Sequence, residues 1–205
     1  MCQSETVSNR RVAANCSFRS DHLAVGEWHS VALPAGLELP DVVVRLLDSA
    51  TTRWLPDQWA GEFDLARARS WIRERDEEST TLLVTEIGSR EPVGLAILFD
   101  ARVDEGDGIE LRLGYVVAAS ASGRGYATEL VAGILRWCRA GSLVSSVVAG
   151  VDRDHHASIR VLVKNGFERI GDTAHGEELY RVVLEHGSGS RDGSRRGEEG
   201  TWSSQ

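Results

Sequence analysis

Ser122-Gly123-Arg124-Gly125-Tyr126-Ala127 lies between two segments of different periodicity, and its reading decides the fold. Upstream, Ile109, Leu111, Leu113, Tyr115 and Val117 alternate with Glu110, Arg112, Gly114 and Val116, the period-two pattern of a strand. Downstream, Ala127, Leu130, Val131, Ile134, Leu135 and Cys138 recur every three or four residues, which predicts a helix with one apolar face. A glycine-rich turn from strand to helix aims the first helical N–H groups outward, and glycine lets an anion approach the backbone. The same residues also suit a plain turn, so on their own they leave both readings open.

Working outward from this turn, the chain alternates strand and helix signals. An apolar run near Trp28 to Leu33 predicts a first strand, and a helix starts near Pro40 with Val42, Val43, Leu46 and Leu47 turned inward. A second helix is predicted from Asp64 to Glu77, then a hairpin of Thr81 to Ile87 and Pro92 to Phe99 around Gly88-Ser89-Arg90-Glu91. Beyond the long helix, Leu143 to Val151 reads as a buried strand and Ala157 to Asn165 as a helix stopped by Gly166. Phe167 to Ile170 and Glu178 to Leu184 complete the series as two more strands. This order predicts a mixed sheet with helices packed on it, an α/β (α+β) domain of about seven strands and about four helices. Residues 1–20 and 187–205 are polar and aperiodic, so both ends are expected to be disordered around an ordered body at 21–186.

Composition narrows the function. The chain has 205 residues, 41% of them apolar, a length suited to one domain with a substantial core. A net charge of −8 without a Lys/Arg cluster flanked by aromatics argues against a nucleic-acid partner and weakly favours a cationic one, such as an amine. No basic-then-apolar leader or membrane-length run is seen, which leads us to expect a cytoplasmic protein with no membrane partner. Cys2, Cys16 and Cys138 are widely spaced, with no C-x-x-C pair and no metal-ligand spacing, and Cys138 falls on the apolar helix face.

A second motif, Ser158-Ile159-Arg160-Val161-Leu162-Val163-Lys164-Asn165-Gly166-Phe167, follows at a separation that matters. Together with Gly123 to Ala127 it resembles the GNAT superfamily of N-acetyltransferases. There, an Arg/Gln-x-x-Gly-x-Gly/Ala turn binds the pyrophosphate of acetyl-CoA and a later Asn-x-x-Ser helix lines the cofactor arm. Gly114-Tyr115-Val116-Val117, Gly125-Tyr126-Ala127-Thr128-Glu129-Leu130 and Ala157-Ser158-Ile159-Arg160-Val161-Leu162 are most similar to the branch that includes ribosomal-protein N-terminal acetyltransferases. Arg53-Trp54-Leu55-Pro56 and Ala68-Arg69-Ser70-Trp71-Ile72 are also similar to that branch, and the resemblance spans most of residues 22–185. It implies a mostly antiparallel sheet splayed at the acetyl-CoA site. Two positions depart from the family pattern: Ser122 stands where Arg or Gln is usual, and His155 where Asn is usual. Neither removes the backbone donors of Gly123 to Thr128 on which pyrophosphate binding rests.

The resemblance also assigns roles. Acetyl-CoA is the implied co-substrate, held by Tyr115, Val116, Val117, Ser122, Gly123, Arg124, Gly125, Tyr126, Ala127, Thr128, His155 and Ser158, with no metal. Backbone groups of Val116 and Val117 would face the developing oxyanion. Ser158 matches the serine proposed to donate to the leaving sulfur, and its alternative is a helix cap. An amine attacks a thioester only when neutral, so a base or water path is needed. Glu110 is the candidate base, with a cross-strand ion pair to a cation such as Arg112 as its alternative reading. From their own chemistry, His155 and His156 are candidate proton relays, with a solvated pair in a surface loop as the alternative reading. Trp54 and Trp59 are expected at the acceptor pocket, whereas Trp71 is expected in the core. The expected reaction is direct transfer of acetyl to a primary amine, either a protein N-terminus or a small molecule; a homodimer is an open expectation. An acyl-CoA-binding module without transfer is the alternative. Generic nucleotide binding is disfavoured, because the turn lacks a Gly-Lys-Ser/Thr ending and the chain lacks an early βαβ unit.

Overall fold

The computed structural model describes residues 12–55, 57–102, 108–141, 143–174 and 176–185. Residues 1–11 and 186–205, which hold most of the two predicted disordered ends, lie outside that set, as does the centre of the acidic loop at 103–107. Eight strands form one sheet: β1 (Phe18–Arg19), β2 (Leu23–Glu27), β3 (Thr80–Glu86), β4 (Pro92–Arg102), β5 (Ile109–Val117), β6 (Val144–Val151), β7 (Glu168–Asp172) and β8 (Glu178–Val183). They are ordered β1-β2-β3-β4-β5-β6-β8-β7. All neighbours pair antiparallel except β5 and β6. This is the mixed, mostly antiparallel sheet expected from the sequence.

Five α-helices are described: α1 (Leu39–Leu46), α2 (Ser49–Thr52), α3 (Leu65–Glu78), α4 (Tyr126–Arg139) and α5 (His156–Lys164). Their starts follow local chemistry. Asp48 caps α2 by accepting from the N–H groups of Ala50 and Thr51, and Asp64 caps α3 by accepting from Arg67 at 2.7 Å. Helix α5 ends where Gly166 takes a left-handed φ of +83°, with the Phe167 N–H returning to the Leu162 carbonyl at 3.1 Å.

Val93 through Leu98 of β4 are buried without alternation, which requires cover on both faces of the sheet. Helix α1 packs on β4 and α3 on β3, whereas α4 packs on β1, β2, β5 and β6. Gly133, midway along α4, makes the contact with β1 close. A Cβ there would lie 2.1 Å from the Phe18 ring, so the short first strand seats itself against a helix with no side chain at that point. Cys138 and Cys16 are both buried.

Three elements differ from expectation. The first long strand is Leu23–Glu27 rather than the Trp28–Leu33 run; Ser30 N–H bonds back to the Glu27 carbonyl, so the chain turns there. Trp28 instead buries its ring beside Trp71, with centroids 5.9 Å apart, and donates its Nε1 to Asp76. The strand count rises from seven to eight through β1, which is two residues long, and the helix count from four to five through the one-turn α2.

Candidate active site

The turn after β5 is a cradle built by backbone conformation. A 3-10 turn at Ala119–Ala121 leads to Ser122, and Gly123 and Gly125 then adopt φ values of +77° and +85°. These angles cost an L-residue roughly 1–2 kcal/mol, which explains both glycines. A Cβ at either position would meet no protein atom within 4 Å, so the space above the turn is open. The first intrahelical bond of α4 runs from the Glu129 N–H to the Gly125 carbonyl. The N–H groups of Tyr126, Ala127 and Thr128 precede it and have no helical acceptor. Open space beside helix-end amide donors fits the pyrophosphate of acetyl-CoA.

Glu86, at the end of β3, holds this turn from the side. Its Oε1 accepts from Arg124 Nη2 and from the Tyr126 hydroxyl, each at 2.5 Å, and its Oε2 accepts from Ser89 Oγ at 2.6 Å. Arg124 also lies 4.6 Å over the Tyr126 ring. Hydrogen bonds from Ser89 and Tyr126, with the Arg124 charge, hold the Glu86 carboxyl down at about 2. A carboxylate with a lowered folded pKa stabilises fully above its unfolded value and loses that contribution as pH falls through the folded value. Wild type is therefore expected to melt higher than Glu86→Gln at neutral pH, with the gap in Tm closing as pH drops from about 4.5 towards about 2. A pH-independent gap would refute the tether.

The sheet forks beside the cradle. Strands β5 and β6 pair from Ile109 to Arg112, after which β5 continues on β4 to Val117 while β6 continues on β8 to Val151. Val116 and Val117 lie on the free length of β5, paired with Leu95 and Gly94. Tyr115, on the same length, reaches across the fork to Ser158 on α5, with its hydroxyl 2.8 Å from the serine Oγ. Burial pushes the Tyr115 phenol up to about 12, against the opposing effect of the Ser158 bond, so the phenol keeps its proton at neutral pH. Ser158 is buried in the first turn of α5, and the cap position belongs to His155. The hydroxyl is thus engaged with Tyr115 rather than capping the helix. Asn165 adds a second strap, donating Nδ2 to the Thr128 carbonyl at 3.3 Å.

The remaining candidates separate. Trp54 stacks flat on His155, with ring centroids 4.4 Å apart and planes at 5°. Trp59 instead packs edge-on to Trp71 at 5.8 Å and lies over the buried Arg75 guanidinium at 4.5 Å. Trp71 is core, as expected. Glu110 is not brought to the cradle: it lies five residues before Tyr115, hence on the opposite sheet face, and roughly 16 Å along the strand. Its carboxylate takes hydrogen bonds from Arg181 and from Ser146 Oγ, so the cation beside it comes from β8 and not from Arg112. Sequence reasoning did not find Glu86; its one local signal was an acidic residue closing an otherwise buried strand. Among the described residues no His/Cys/Asp/Glu group is arranged to hold a metal, and no helix is long and apolar enough to cross a membrane.

A forked sheet with a glycine turn at the head of the following helix is the arrangement that the GNAT resemblance implies. The acetyltransferase (GNAT) domain profile matches residues 34–168, and the chain belongs to this family, whose activity is acetyl-CoA-dependent acetyl transfer. Among solved structures, a GNAT acetyltransferase from Bacillus anthracis aligns at a TM-score of 0.64 and 18% identity, covering 82% of this chain and 98% of that one. The ribosomal-protein-S5-alanine acetyltransferase of Vibrio fischeri aligns at 0.57 and 14% identity, over 83% and 98%. RimJ of Mycobacterium smegmatis, solved with CoA-disulfide, aligns at 0.60 and 19% identity, over 78% and 81%. No curated protein matches the chain.

Proposed function

We propose that residues 21–186 form an N-acetyltransferase domain that moves acetyl directly from acetyl-CoA to a primary amine within a ternary complex, in the cytoplasm and without a metal. The observation that carries this reading is the open left-handed turn at Gly123 and Gly125 set beside the fork that Tyr115 and Ser158 bridge. Backbone donors of Gly123 to Thr128 hold the pyrophosphate, and Ser122 and Arg124 flank it. The free length of β5 at Tyr115, Val116 and Val117 receives the acyl arm, with His155 and Ser158 facing it from α5. The acceptor is a protein N-terminus or a small-molecule amine, as the RimJ and ribosomal-protein relatives suggest for the former. Glu110 is hydrogen-bonded by Arg181 and Ser146, and this reading places the amine's proton on another group.

The test is thiol release from acetyl-CoA across a panel of amines and short peptides, with mass spectrometry of the acceptors. Acceptor-dependent thiol release with a mass gain on an amine is expected. Tight binding of CoA by calorimetry with no turnover on any acceptor would instead make the protein an acyl-CoA-binding module.

A further inference from the structure

His155 stands where the GNAT resemblance leads one to expect asparagine, and the structure surrounds it in a way that suits a base. It caps α5 without a side-chain hydrogen bond to the helix, and its ring nitrogens make no hydrogen bond among the described residues. Trp54 fixes the ring plane by the flat stack, although the two residues are a hundred positions apart in sequence. The Arg53 guanidinium lies 4.8 Å from the Trp54 ring centroid. With its ring stacked flat on His155, Trp54 orients the imidazole. One helical turn further on is Ser158, whose hydroxyl meets Tyr115 across the fork.

We propose that His155 is the proton acceptor for the incoming amine, with Trp54 as its positioning residue. The proposal rests on the transfer reading above and names the base that reading lacks. The charged groups acting on the ring are Asp152, from the loop before α5, and Arg53, from the end of α2. Burial and the Arg53 charge hold the imidazole below its ordinary pKa, and Asp152 opposes them. The ring is then neutral at pH 7 and free to accept. His155 takes one proton from the ammonium, and the freed nitrogen lone pair forms the C–N bond to the acetyl carbon as the C–S bond breaks. The sulfur leaves with the electron pair of that bond. Ser158 passes it a proton, Tyr115 hydrogen-bonded behind, and the second nitrogen proton restores the hydroxyl. His155 returns its own proton to solvent, so one acetylamine, one thiol and one proton result.

The experiment is the pH profile of kcat/KM for an aliphatic amine in wild type, His155→Asn and His155→Gln. Asparagine suits the fold at this position but does not titrate. At pH 7 His155→Asn is expected to fall by about a hundredfold, with the gap closing as pH approaches the amine pKa of about 10, where base assistance is no longer needed. The acetyl-CoA KM should stay within about threefold. A gap constant with pH in both variants, or no gap, overturns the assignment. Wild type that acetylates no amine would overturn the transfer reading itself, a separate outcome visible without any variant. An NMR titration of the His155 ring gives a readout independent of turnover: a midpoint below 6.5 that rises in Trp54→Ala supports the positioning role, and an unmoved midpoint refutes it.

Discussion

Gly125→Val is expected to raise the acetyl-CoA KM by about a hundredfold, equivalent to about 2.7 kcal/mol of lost binding, while leaving the protein folded. Two effects separate cleanly at this position. In the free protein the new Cβ meets no atom within 4 Å, so the only internal cost is the left-handed φ of +85°, roughly 1–2 kcal/mol of stability. The side chain must then stand in the open space above the turn, where the phosphates approach the Tyr126, Ala127 and Thr128 amides. Circular dichroism should show the native fold and steady-state kinetics the raised KM. An unchanged KM in a folded variant would mean that the cradle does not hold the co-substrate.

Ser158→Ala carries the second large effect, on turnover rather than on binding. The Tyr115 phenol keeps its proton across neutral pH and sits 2.8 Å from Ser158 Oγ. With the phenol donating, the serine proton is free to point into the fork, where the departing sulfur needs it. Loss of that donor is expected to lower kcat by about 10- to 100-fold with the acetyl-CoA KM within about threefold. The deletion also leaves a buried phenol without its partner, at a cost of about 1–3 kcal/mol, so the variant should melt lower. Tyr115→Phe separates the two roles: it removes the support but keeps the serine donor, and its kcat should fall less. A Ser158→Ala enzyme with wild-type kcat would remove Ser158 from the chemistry.

Much of this architecture was legible in the residues because each element carries its own punctuation. Helix α4 begins at Gly125 and its apolar stripe is complete by Cys138; α5 ends on Gly166, and β4 starts at Pro92. These signals are local and survive without knowledge of neighbours. Strand β2 was displaced because Leu-Ala-Val-Gly-Glu is short, interrupted by Gly26, and adjoins the stronger apolar signal of Trp28, which the fold uses for packing. Strand β1 escaped because Phe18 gains its meaning only from the gap at Gly133. The cradle itself was legible, since its glycines are required by φ. Its supports were not: Glu86 reaches Arg124 and Tyr126 from β3, and Trp54 meets His155 from another element, contacts made by topology. Glu110 shows the converse. The residue has the right chemistry, but strand alternation puts it on the other face, where β8 supplies Arg181.

The short parallel pairing of β5 with β6 has a mechanical meaning. Four residue pairs join the β1–β5 part of the sheet to the β6–β8 part before the strands diverge, with the Tyr115–Ser158 and Asn165–Thr128 bonds as straps beyond them. Helix α4 packs on strands of both parts. Under the function proposed above, acetyl-CoA lying in the gap with its phosphates on the α4 amides takes the place of the strand pairing that β5 and β6 give up there. A ligand that binds the folded chain and not the unfolded one raises its stability by mass action, so CoA is expected to raise the Tm.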